Sequence, residues 1–314
     1  MLSLLGGIFL GWSLGANDAS NVFGSAVAAK MIRFWTAAVL ASVFVLLGAL
    51  LEGEAGIETL KDLTPLNLEQ AVILSVAAAV TVTIMTVFSL PVSTSQAVVG
   101  AILGIGLLNQ DINTPGLGKV VACWFGTPLG GMIISVILYR LMAFFYNRLN
   151  INMFQSDSLL RISLIVAGSY GAYALGANNV ANVTAVFVAA GKLTVFSAVL
   201  LGGLSIGLGI LTFSRRVMET VGRRLVRLDP FSALIVVLAE AITVHFYTLL
   251  GVPVSTSQAV VGAVLGVGIV KGISTVRKRT LINILFGWFL TPMVAIIIAA
   301  SVYFAVHLYY IPPG

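Results

Sequence analysis

Charge is what this sequence has least of. Only 9% of its 314 residues are Asp, Glu, Lys or Arg, against 59% hydrophobic residues, and a chain so poor in charge cannot coat a water-facing surface. A mean hydropathy of +1.07 places it in lipid and argues against a soluble domain. Cysteine is nearly absent as well. The single Cys123 excludes a disulfide framework and, set in an apolar stretch, reads as a small buried hydrophobe. Only two histidines occur, His245 and His307, far apart in sequence. With no nucleophile beside a base, no apposed acids and no His/Cys/Asp metal spacing, the residues argue against an enzyme. The N-terminal apolar stretch lacks the basic start of a signal peptide. Its motif also recurs in mid-chain, so it is expected to be mature structure.

Glycine and long apolar runs are plentiful. Thirty-two glycines and apolar runs from end to end favour an all-α membrane bundle with close helix contacts over an alternating β-barrel. The net charge of +6 lies in short connections between these runs, where lipid headgroups rather than nucleic acid account for it. Apolar segments fall at about 2–31, 34–51, 68–108, 120–147, 160–191, 194–213, 230–270 and 281–309.

Three motifs occur twice in the same order. GANDASN at 15–21 returns as GANNVAN at 176–182, PVSTSQAVVGAILGIG at 91–106 as PVSTSQAVVGAVLGVG at 253–268, and WFGTP at 124–128 as WFLTP at 288–292. The offsets stay between 161 and 164 residues, so the chain is a duplication, with halves at 1–150 and 151–314. The first and fifth segments, about 30 residues each, would be about 45 Å long as straight helices against a hydrocarbon core of about 30 Å. They are expected to tilt or to break near Gly15 and Gly176. The third and seventh carry PVSTSQ at their middles and read as helical hairpins, with Pro ending one helix and Ser or Thr capping the next.

If each hairpin returns to the side it entered, each half crosses three times and the second is inverted relative to the first. Fourteen of the 17 basic residues, Arg227 and Arg277 among them, then fall on one side, against Lys61, Lys119 and Lys192 on the other. The first side is expected to be cytoplasmic. Both termini are expected outside, as is the acidic connection with Glu52, Glu54, Glu58 and Asp62. Inverted repeats with interrupted helices are the pattern of a secondary transporter whose site lies at the bilayer midplane. A channel is the alternative, but a duplicated polar hairpin suits an occluded site better than a continuous pore.

Ser93, Thr94, Ser95 and Gln96, with Ser255, Thr256, Ser257 and Gln258, place eight polar side chains in two apolar runs. A lone Ser or Thr there usually bonds the carbonyl one turn back; a duplicated STSQ after Pro points to binding. Each motif opens a helix whose free N–H groups and positive end suit an anion. Neither motif contains Lys or Arg, so cations travelling with the anion would offset its charge. Asn17, Asp18 and Asn21 cluster at helical spacing, and Asn178, Asn179 and Asn182 repeat the pattern. Hard oxygen ligands with one carboxylate suit Na+, although Asp18 could instead carry H+ and the Asn residues could merely bridge broken backbone. Glu240 and His245 stand outside the duplication, with Ala78 and Thr83 at the equivalent positions. A packing role, a third ion site and a proton relay are all open for them.

At these motifs the chain resembles the inorganic phosphate transporter (PiT) family, over essentially its whole length. The resemblance implies a Na+- or H+-coupled phosphate symporter with inverted repeats, often a homodimer, phosphate at the hairpin tips and cations near the Asn/Asp motifs. It implies Ser93–Gln96 and Ser255–Gln258 as phosphate candidates, and Asp18 with Asn17, Asn21, Asn178 and Asn182 as cation candidates. Asn179 departs from the pattern, standing where many members have a second Asp. Sulfate is the rival substrate, being tetrahedral too. The proton of monohydrogen phosphate would separate the two, with Gln96, Gln258 and Asp18 as possible acceptors.

Overall fold

The structure, a computed structural model, describes residues 2–87, 92–224, 228–272 and 278–309. Pro91, Arg227 and Arg277 lie outside the described residues. Eleven α-helices make up the described fold: α1 Leu5–Ala28, α2 Phe34–Glu52, α3 Glu54–Lys61, α4 Leu68–Val87, α5 Thr94–Asn109, α6 Thr114–Tyr146, α7 Met153–Ala189, α8 Val195–Arg224, α9 Pro230–Leu249, α10 Thr256–Lys271 and α11 Lys278–Tyr309. Their starts follow local chemistry. Asn152 and Gln155 form a reciprocal capping box at α7, and Asp229 accepts from the Ser232 N–H with Pro230 in the first turn of α9.

Seven of these helices, α2, α4, α6, α7, α8, α9 and α11, are long and apolar enough to cross a membrane. α5 and α10 have 16 residues each, about 24 Å, and are too short to span the core alone. They are the second arms of the two hairpins. On α6, Phe125, Leu129 and Ile133 point outward at every fourth residue, and on α11 Phe289, Met293 and Ile297 do the same. Apolar stripes of this size suit a lipid-facing wall and not water.

The helices do not sort into two separate bodies. α1 packs chiefly on α8, and α2 on α7; α5 packs on α11, and α6 on α10. Every one of these pairs joins the first half of the chain to the second, and the buried cores mix residues of both. Close crossings explain two glycines. A methyl at Gly15 would lie 2.0 Å from the Ile206 carbonyl oxygen, and one at Gly176 would lie 1.9 Å from that of Val45. Both α1 and α7 therefore run through their GAN motifs unbroken. The glycines are contact points between helices and not hinges, and the interruptions fall at the hairpin tips.

Candidate functional site

Each hairpin tip is built by a capped helix start. Ser93 Oγ accepts from the Gln96 N–H at 3.3 Å, and Ser255 Oγ accepts from the Gln258 N–H at 3.3 Å. This leaves both serine hydroxyl protons free to donate elsewhere. The tips also touch: Ser95 Oγ donates to the Val254 carbonyl at 2.9 Å. Two positive helix ends thus converge inside the protein, with Ser93, Thr94, Ser95, Gln96, Ser255, Thr256 and Gln258 all buried and Ser257 half-buried.

The GAN motifs clasp these tips crosswise. Asn21, on α1, donates to Thr256 Oγ1 at 3.0 Å and Ser257 Oγ at 3.2 Å. Thr256 Oγ1 in turn donates to Asp18 Oδ2 at 3.2 Å. On α7, Asn182 donates to Ser95 Oγ and to Asn179 Oδ1, both at 2.9 Å. The first half therefore holds the second half's tip, and the second half holds the first's. Asn178 does something different. Its oxygen accepts from the Val254 N–H at 2.8 Å while its amide donates to Thr248 Oγ1 and the Val252 carbonyl, so it fixes the extended approach to α10. Asn17 is only half-buried; its carbonyl accepts from Ser20 Oγ.

Several polar atoms at the centre are buried without a hydrogen-bond partner: Thr94 Oγ1, Gln96 Oε1, Gln258 Oε1, Asn182 Oδ1 and Asn179 Nδ2. A buried polar atom without a partner is costly, and five around one locus are what a polar ligand site looks like. Hydroxyls and helix ends offer donors to an anion. Asp18, Asn182 and the hydroxyl oxygens offer hard ligands to a small cation. No group of three or more His, Cys, Asp or Glu that could hold a metal is found among the described residues.

All fourteen residues singled out from sequence lie on the two tips or on the two helices that hold them. Sequence reasoning missed Thr248 and the Val252 and Val254 backbone, which act through one asparagine. No spacing rule pairs residues 70 to 76 positions apart. It also missed the link from Glu52 to His245, at 2.8 Å. Outside the membrane-spanning segments, Asp229 meets Lys271 where the second hairpin begins and ends. Partial burial would raise the Asp229 pKa, but Lys271 and the Ser232 O–H and N–H together hold it below the usual carboxylate value.

The family described as "Phosphate transporter family" matches residues 14–299. The Methanocaldococcus jannaschii protein named "Putative phosphate permease MJ0630" is 29% identical, covering 95% of this chain and 94% of its own length. "Sulfate permease CysP" of Bacillus subtilis is 28% identical, covering 95% and 86%. A solved structure titled "The sodium-dependent phosphate transporter" matches with a TM-score of 0.86 over 98% of both chains, at 26% identity.

Proposed function

Because this chain belongs to the phosphate transporter family, a family of transporters and not of enzymes, we propose that it imports inorganic phosphate by symport with Na+. One observation carries the reading: two capped helix starts meet in the interior, each held by the other half, around buried polar atoms that have no protein partner. Phosphate would lie against Ser93–Gln96 and Ser255–Gln258, taking hydrogen bonds from hydroxyls and the first free N–H groups of α5 and α10. Na+ would lie at Asp18, Asn17 and Asn21, and at Asn178, Asn179 and Asn182. Asn178, spent on Val252, Val254 and Thr248, would act by positioning. The similarity to a structure titled as sodium-dependent supports Na+ as the coupling ion.

The halves 1–150 and 151–314 would be inverted repeats that rock against each other to expose the site alternately. The exchanged packing of α1 on α8 and α2 on α7 supports a two-fold relation between them. The protein would sit in the cell membrane with both termini outside, as a homodimer. Gln96 Oε1 and Gln258 Oε1, unpartnered acceptors, favour an anion that carries a proton, which monohydrogen phosphate does and sulfate does not. A site built around such a bond rejects an analogue lacking it.

A second reading, an H+-coupled phosphate or sulfate permease of the same fold, draws on the sulfate permease relative. Uptake of labelled phosphate into proteoliposomes separates the two. Na+-gradient-driven uptake that excess sulfate leaves intact is the expected result. Uptake driven by protons alone, or competed away by sulfate, overturns the first reading in favour of the second.

A further inference from the structure

Glu240 lies in the middle of α9, fully buried, and neither carboxylate oxygen has a hydrogen-bond partner. It sits where α9 meets α7 and α1: a methyl at Gly171 would lie 3.3 Å from Glu240 Oε2 and 2.8 Å from Val22 Cγ1. Asp18 stands on α1 one turn before Val22, and Tyr170 on α7 directly precedes Gly171. From Tyr170 a hydrogen-bonded file leads away. Tyr170 Oη meets His245 Nδ1 at 2.8 Å, and His245 Nε2 meets Glu52 Oε2 at 2.8 Å. The Tyr173 ring stands edge-on to His245. Glu52 is the last residue of α2, its side chain 31% exposed.

Other charged side chains stand on the helices packed against α9, Asp157 and Arg161 on α7 among them. Lys271 of α10 pairs with Asp229 below the start of α9, and Lys119 of α6 donates to the Leu250 carbonyl beyond its end. Arg140 and Tyr139 stand on α6, Tyr139 against Phe231 in the first turn of α9. On α3, Lys61 pairs with Glu58 and Glu54 opens the helix. No cation reaches Glu240 among the described residues, as its oxygens are unpartnered.

A carboxylate in such a place must be neutralised. A metal cation would need several oxygen ligands, whereas Glu240 Oε2 faces a glycine beside a valine. A proton needs none. We propose that Glu240 is a proton-binding site of the transport cycle, loaded from the surface through Glu52, His245 and Tyr170. Glu52 takes a proton from water and passes it to His245 Nε2. The imidazole gives up its Nδ1 proton to Tyr170 Oη, whose own hydroxyl proton goes to the Glu240 carboxylate. Tyrosine and histidine regain their starting forms by reorienting, and the net change is one proton moved from water to Glu240. Tyr170 and Glu240 are not hydrogen-bonded here, so the last transfer waits on a movement of α7 or α9. That ties loading to the conformational cycle.

The role in transport rests on the symport reading above; the proton site does not, and its test uses no substrate. Infrared spectra of the purified protein in lipid, stepped in pH, should show the carbonyl band of a protonated carboxylic acid that appears and disappears with pH. Glu240→Gln should remove the band and Glu240→Asp should move it, which also serves if the Gln variant fails to fold. Tyr170→Phe and His245→Phe should keep its equilibrium amplitude but slow its response to a pH jump by about tenfold or more, as expected when a proton-transfer partner is lost. A band that survives Glu240→Gln and vanishes in Asp18→Asn would overturn the proposal. So would a Glu240 band that ignores pH, or a response as fast without Tyr170 and His245 as with them.

Discussion

Among the described residues, Asp18 is the one carboxylate hydrogen-bonded to a hairpin tip, through the hydroxyl of Thr256, and its neighbour Asn21 holds the same tip. Asp18→Asn keeps the shape and an oxygen able to accept from Thr256, and removes only the charge. Removing one partner from a buried charged arrangement typically costs about 3 kcal/mol or more, so Na+-driven phosphate uptake should fall by about a hundredfold or more. The purified variant should keep its elution profile. Uptake at the wild-type rate would take the cation away from Asp18. Most of this locus was legible in the sequence because the duplication singled it out: a polar motif that occurs twice in apolar runs carries its own control. The role of Asn178 was not, because an asparagine that clamps backbone looks the same in sequence as one that awaits an ion.

Helix pairs set the precision of the site. The Cβ of an alanine at 176 would fall 1.9 Å from the Val45 carbonyl oxygen, which is backbone and cannot swing aside. Overpacking typically costs about 1 to 3 kcal/mol. Gly176→Ala should sit at the upper end and lower the unfolding temperature in detergent by several degrees, with Gly15→Ala close behind. A variant as stable as the wild type would mean that α2 and α7 separate freely. The sequence suggested that these glycines were places where long helices break; the structure makes them places where long helices touch. Both uses leave the same residue in the same motif, and only the partner's carbonyl tells them apart.

The second hairpin has its own control point where Asp229 meets Lys271. The Asp229 pKa is lowered in the folded protein, so its contribution to stability is present above the unfolded value, about 3.9, and is lost as pH falls through the lower folded one. Lys271→Ala should move that acid loss of stability to higher pH, as read by thermal unfolding across the acid range. An unchanged acid limb would show that the pair does not brace the hairpin. The first hairpin carries no such ion pair at the corresponding Asn67 and Asn109, so the two hairpins differ at their bases.

At the scale of the whole molecule, the distribution of basic residues predicts which side faces out. A cysteine at Asp62, in a Cys123→Ser background, should react with an impermeant maleimide added outside intact cells. Reaction only after permeabilisation would turn the molecule over. The helical membrane fold could be read from composition, runs and repeats, since each reports a bulk property of the chain. The exchange of partners between halves could not, because it depends on which helix faces which and no periodicity encodes that.

The crosswise clasp has a consequence for how the protein is made. Asn182 follows Ser95 by 87 residues and Thr256 follows Asn21 by 235, so neither contact exists when only the first half has left the ribosome. A nascent chain therefore inserts its early helices with an unfinished site. The membrane acquires a working transporter only when the last hairpin arrives.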